Sequence, residues 1–231
     1  MTSRNFISGK SSESARADES SIRDIRRLAA TGEGSRIEFK AKANHPDKIA
    51  RSICSFANST GGTLLLGVSD AGELNGVRYP DEDIHAIFKY LRTARPFLKC
   101  RYSIIPLTDK RSVVRFDVSE NRRKPVVLKM DKGKAYIRIA DACMQAGPVT
   151  SAVLRERSSS TGSMITFGQE EKSILSLFNS NKPMVSREIA RATGLPEKVV
   201  FQKLVSLVSA GILKTIPGNE EEQFLMNLSG H

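Results

Sequence analysis

A chain of 231 residues with 39% apolar content can build one large domain or two small ones. It holds no run of 18 or more apolar residues, which excludes a helical membrane span, and no apolar stretch near its start that would read as a secretory signal. The formal charge is +11, and three cysteines (Cys54, Cys100 and Cys143) are odd in number and lack metal-ligand spacing, which predicts reduced thiols in a cytoplasmic protein.

The charge is unevenly placed. Residues 164–231 hold seven Lys/Arg and seven Asp/Glu, whereas residues 1–163 hold 29 and 18. A basic excess confined to one part of a chain points to a polyanionic partner, most often nucleic acid.

Residues 1–20 are rich in Ser and charge and read as a disordered tail. Ile22, Ile25 and Leu28 recur at helical spacing and predict a short helix over 21–30. The stretch 36–40 alternates and reads as a strand, with Ile37 and Phe39 facing the core and Glu38, Lys40 and Lys42 on the opposite face. Ile49, Ile53 and Phe56 form one stripe of a helix over 47–58, entered at Pro46 and left at Gly61 or Gly62. The apolar run 63–68 predicts a buried strand, and Asp70-Ala71-Gly72 turns it into a hairpin with 73–77. A second helix follows over 81–94, acidic at its start and basic at its end. Strands are predicted at 99–107, 112–119, 126–129 and 134–139. This order gives an α+β domain with a mixed sheet over 21–154.

A polar linker is expected over 155–166. Beyond it, helices at 169–179, 186–193 and 196–209 precede a hairpin that turns at Gly218-Asn219, the pattern of a small winged helix-turn-helix domain over 167–231. Lys198, Gln202 and Lys203 lie on its recognition-helix candidate. Glu220, Glu221 and Glu222 make an acidic wing that repels phosphate, so a protein partner or homodimer contact is the competing role for this domain.

Two acids, Glu33 and Glu38, precede Phe39-Lys40. Then come Ile53-Cys54-Ser55-Phe56-Ala57-Asn58 and Gly61-Gly62-Thr63-Leu64-Leu65-Leu66-Gly67-Val68-Ser69-Asp70, with weaker echoes at Leu74-Asn75-Gly76-Val77 and Tyr136-Ile137-Arg138-Ile139. These residues resemble the Schlafen/AlbA-like DNA-binding domain, a family common in bacterial regulators, over about residues 21–147. One position departs: Ala140 stands where the family usually has glycine. Some Schlafens are metal-dependent endoribonucleases that cut transfer and ribosomal RNA with three acids. The resemblance places that trio on Glu33, Glu38 and Asp70, which would hold Mg²⁺ or Mn²⁺ beside a phosphate of structured RNA. Residue chemistry alone reads the same acids as a Glu38–Lys40 surface pair and an Asp70 turn cap.

The family label also mentions ATP. Gly61-Gly62-Thr63 has no lysine after it and opens a strand, not a helix, so no phosphate loop is expected and the glycines serve backbone geometry. His45, His85 and His231 show no metal spacing. The loop Asn121-Arg122-Arg123-Lys124 is either a solvated turn or a phosphate clamp. Aromatic residues make up only 6% of the chain, which gives stacking on single-stranded bases little support. The expectation is a nucleic-acid-binding transcriptional regulator, with no membrane partner. It would grip backbone phosphate through Arg36, Lys40, Lys42, Arg122, Arg123, Lys124 and Arg138; the alternative is the Schlafen-type endoribonuclease.

Overall fold

A computed structural model describes residues 19–158, 167–180, 182–216 and 221–228. They form two compact units. The first comprises the described residues up to Arg122 together with Val126–Met144, and the second Arg123–Pro125 with the described residues from Gln145 onward. Of the expected tail over 1–20, only Glu19 and Ser20 are described, and they open a helix.

The first unit is built on a β-α-β crossover. Strands β1 (Ile37–Lys40) and β2 (Gly62–Leu66) pair in parallel, with Glu38 beside Leu64 and Phe39 beside Leu65, and helix α2 (Pro46–Asn58) connects them. After α3 (Pro80–Leu91), strands β3 (Cys100–Thr108) and β4 (Arg111–Val118) complete a sheet of order β1-β2-β4-β3, with β4 antiparallel to both neighbours. Helices α2 and α3 cover one face, where Ile53, Phe56 and Ile87 pack on Leu64, Leu66 and Phe116. The other face packs on α1 (Glu19–Ala30), where Ile25 and Ala29 meet Phe39, Leu65 and Val113. Cover on both faces is why Leu64, Leu65 and Leu66 are all buried although alternate side chains of a strand point opposite ways. It also corrects the expectation for β1: Glu38 does not lie on an open face but is buried on the α2 side.

Gly61 lies at φ +75°, and a Cβ there would stand 2.8 Å from the Val118 carbonyl oxygen. Close approach of β4 therefore explains this glycine without any phosphate. The stretch expected to be a strand at 126–129 forms only single bridges, Val127 to Arg95 and Val127 to Ala135, before a 3-10 turn at Lys129–Asp131. The buried Asn58 at the end of α2 holds this region. Its amide nitrogen donates to the carbonyls of Val126 (2.9 Å) and Tyr136 (2.8 Å), and its amide oxygen accepts from the Val126 N–H (2.6 Å). Strands β5 (Tyr136–Ile139) and β6 (Ala142–Gln145) close the unit as a hairpin. Ala140 in its turn has φ +51°, a position that favours glycine.

The second unit contains α4 (Pro148–Glu156), α5 (Gln169–Ser176), β7 (Met184–Val185), α6 (Ser186–Thr193), α7 (Glu197–Ser209), β8 (Leu213–Ile216) and β9 (Gln223–Met226), with sheet order β7-β9-β8. Its core joins Val149 and Val153 of α4 to Ile174, Ile189, Leu204 and Phe224. Residues 148–154, expected in the first domain, therefore pack in the second unit. Helices α5, α6 and α7 and the β8–β9 pair fall where the pattern predicts three helices and a hairpin. Most of the expected linker over 155–166, the turn at Gly218-Asn219, Glu220 and His231 lie outside the described residues.

Candidate nucleic-acid interface

Arg138, expected to grip phosphate, is turned into the first unit and its side chain is fully enclosed. Nε and Nη2 donate to the Gly34 carbonyl (3.0 and 2.9 Å), Nη2 also to the Ile37 carbonyl (3.0 Å), and Nη1 to the Glu38 carboxylate. Its guanidinium lies 5.0 Å above the Phe56 ring, and its backbone N–H donates to Ser59 Oγ at 2.9 Å. The expectation is corrected: this arginine fastens β5 to the segment leading into β1. Four hydrogen bonds engage it with protein carbonyls and one carboxylate, and its side chain shows no surface to a ligand.

Glu38 receives Arg138 on one oxygen and Lys40 Nζ, at 2.5 Å, on the other. Lys40 also donates to its neighbour's carbonyl, Phe39 O, at 2.9 Å, so its ammonium is engaged within the unit and does not reach outward as expected. Glu33 is exposed, and its Oε1 accepts from the Phe39 N–H at 2.7 Å. Asp70 is exposed in the turn after β2. Among the described residues no group of three or more His, Cys, Asp or Glu is arranged to hold a metal ion. The trio of Glu33, Glu38 and Asp70 thus does not fit the Mg²⁺ or Mn²⁺ site that the resemblance implies, because both oxygens of Glu38, its central member, are already taken by Arg138 and Lys40.

Arg36, Lys42, Arg122 and Arg123 are exposed. Lys124 is half-buried, and its backbone N–H donates to Ser158 Oγ at 2.7 Å. On α7, Lys198 and Gln202 are exposed one turn apart. Lys203 is not available in the same way: its Nζ lies 2.7 Å from Glu171 Oε1 and 2.9 Å from Glu170 Oε2. The hydrogen bond from Lys203 holds the Glu171 carboxyl below its ordinary pKa, and the bonds to Glu171 and Glu170 hold the Lys203 ammonium above its own.

The acidic wing is also engaged inside its unit. Glu222 caps α4, accepting from the N–H groups of Val149 and Thr150, each at 2.9 Å, and from the Thr150 hydroxyl. Glu221 pairs with Arg187. Two of the three charges expected to repel phosphate are thus partnered by groups of the same unit.

His45 and His85 are exposed and belong to no metal-holding group. Burial pushes the Cys54 and Cys100 thiols up, Cys100 to about 12, which makes them inert packing residues. Sequence spacing did not group Arg92, Arg95, Lys129, Lys132 and Lys134, which the Arg95–Val127–Ala135 bridges draw together. A signal was present: 92–101 contains no acid, and 121–140 contains only Asp131.

Among the described residues no helix is long and apolar enough to cross a membrane. Among solved structures, the chain is similar to the DIP2311 protein from Corynebacterium diphtheriae, at 17% identity and a TM-score of 0.42, with 90% of this chain and 44% of that one covered. The chain therefore spans less than half the length of that protein. The family model described as Schlafen, AlbA_2 matches residues 33–147. That stretch contains Glu33, Glu38, the Gly61–Gly62 pair and Arg138, so this chain carries an AlbA_2/Schlafen-like domain over residues 33–147.

Proposed function

We propose that this protein is a nucleic-acid-binding regulator whose Schlafen-like domain holds phosphodiester backbone while residues 167–231 act as a winged helix-turn-helix module. The observation that carries this is the charge distribution. The whole basic excess falls within residues 1–163, and Arg36, Lys42, Arg122 and Arg123 there are exposed. Such cations position a protein on a polyanion without reading its sequence. Sequence choice would come from α7. Gly194, at φ +69°, separates α6 from α7, and Lys198 and Gln202 stand exposed on α7 ahead of the β8–β9 hairpin. A protein partner for this module loses its main argument, since Glu221 and Glu222 are already paired. Metal-dependent cleavage is not proposed, because the acids that would hold the ion do not gather.

The test is fluorescence anisotropy with labelled duplex DNA and with a labelled RNA hairpin, titrated between about 50 and 200 mM salt. Affinity should fall steeply with salt, and the variant Arg122→Gln/Arg123→Gln/Lys124→Gln should lower the log–log slope by about 0.9 for each duplex phosphate it no longer neutralises. Lys198→Ala/Gln202→Ala should narrow the difference between preferred and random duplex sequences while leaving the slope nearly unchanged. Binding that does not respond to salt would overturn this role.

A further inference from the structure

We propose that Arg92, Arg95, Lys129, Lys132 and Lys134 form a second phosphate-binding surface on the first unit, and that it takes the sugar–phosphate backbone of a nucleic acid. It rests on the nucleic-acid role proposed above and adds a place for the strand to run. The residues come from two stretches of the chain, and backbone pairing brings them together. Arg95 and Val127 exchange both backbone hydrogen bonds (2.9 and 2.8 Å), Val127 bridges Ala135, and the Lys129 N–H donates to Thr93 Oγ1 at 3.3 Å. Three segments therefore lie side by side over about 10 Å, given the usual spacing of paired strands. All five cations are exposed.

Few acids lie on the segments that carry these residues: none falls within 92–95, and Glu120 and Asp141 stand just outside 121–140. Asp131 is the only acid between Asn121 and Ala140, and it is buried rather than displayed. Its Oδ1 accepts from Arg51 Nε at 2.8 Å, which turns its charge inward and fixes the turn that carries the lysines. The Lys132 and Lys134 N–H groups close that turn onto Lys129 O (3.3 Å) and Asp131 O (3.0 Å). Lys132 sits at φ +50°, a left-handed conformation where glycine or asparagine is the usual occupant. Packing does not require the lysine, because its side chain is exposed.

A purely structural role accounts for part of the group. Arg92 follows the C-terminus of α3, where a cation suits the helix dipole, and Arg95 Nη1 donates to the carbonyls of Arg92 (3.3 Å) and Ala94 (2.8 Å). That explanation does not extend to the side chains of Lys129, Lys132 and Lys134, which are exposed; Lys132 ends the short 3-10 turn through its backbone N–H, which any residue supplies. Like charges gathered on one rigid turn repel one another, and a row of phosphates relieves that repulsion.

The experiment uses the full chain, the same labelled duplex and RNA hairpin, and poly-L-glutamate as a polyanion without phosphate. Lys129→Gln/Lys132→Gln/Lys134→Gln should weaken nucleic-acid binding about tenfold or more near physiological salt and lower the salt slope by roughly 2–3. Lys132→Gly removes one charge while relieving the backbone, so it should bind less tightly with no loss of melting temperature; this separates binding from folding if the triple variant is unstable. Unchanged nucleic-acid binding in both variants, with binding still reduced by the 122–124 substitutions, overturns this surface and leaves the broader role standing. Loss confined to poly-L-glutamate overturns it in favour of an acidic protein surface. A wild-type chain that binds neither nucleic acid removes both proposals.

Discussion

Arg138 and Glu38 form a buried ion pair, and its cost structure decides what their substitution will report. Removing Glu38 leaves the Arg138 guanidinium charged and enclosed with only the Gly34 and Ile37 carbonyls as partners, whereas removing Arg138 leaves Glu38 its bond from Lys40. Glu38→Ala should therefore lower unfolding free energy by about 3–5 kcal/mol in urea titrations, with a smaller loss if Lys40 partly relaxes outward. A Glu38 variant that lost function would thus say nothing about catalysis unless its fold were measured beside it. Asn58 makes a different kind of contribution. Its three hydrogen bonds satisfy two carbonyls and one N–H of the 126 and 136 segments, and Asn58→Ala would leave the buried Val126 N–H without its acceptor. About 2–3 kcal/mol of destabilisation is expected by chemical denaturation. Ala140 offers the opposite sign. Its φ of +51° strains an L-residue, and Ala140→Gly should raise stability by about 0.5–1 kcal/mol, the strain relieved being partly offset by the greater unfolded-state entropy of glycine. An unchanged or lower melting midpoint would show that this turn relaxes some other way.

At the level of elements, α4 is the clearest departure from the sequence pattern. Nine residues with only Val149, Val153 and Leu154 buried give too short a stripe to stand out beside the polar stretch that follows. What fixes α4 is distant in sequence: the Glu222 carboxylate of the segment before β9 satisfies the first N–H groups of the helix. Glu222→Ala should cost about 1–2 kcal/mol in thermal or urea unfolding, in the range of a missing N-terminal cap. The α5–α7 contact adds a pH dependence. Glu171 has a lowered pKa in the folded state, so its contribution is complete above its ordinary value of 4.5 and is lost as pH falls through the lower folded value. Lys203 is raised, so its contribution holds below its ordinary 10.5 and is lost as pH climbs through the higher folded value. Melting temperature measured across pH should drop at the acid end, and Glu171→Gln should flatten that limb. An unaltered acid limb in the variant would assign it to other carboxylates.

Over the whole molecule, charge and hydrophobic pattern were legible from the residues alone. The apolar run through Leu64, Leu65 and Leu66 announces a central strand, the Ile49–Ile53–Phe56 stripe announces α2, and the count of lysines and arginines gives the basic excess, since each of these depends only on local order or composition. The motif residues likewise pointed to the Schlafen, AlbA_2 domain that residues 33–147 match. What composition cannot give is direction. Whether a charged side chain faces water or another charge depends on residues far along the chain. Arg138 meets Glu38 across 100 positions. Glu222 meets Thr150 across 72, and Asp131 meets Arg51 across 80. Tertiary structure therefore took Arg138, Lys40 and Lys203 out of the expected binding set, took Glu38 out of the expected metal site, and assembled the lysines of the 129–134 turn beside Arg92 and Arg95. The physical reason is that burial makes an unpaired charge costly, so each enclosed ion must find a counterpart. Only the folded chain determines which charges are used up in this way and which remain exposed to solvent.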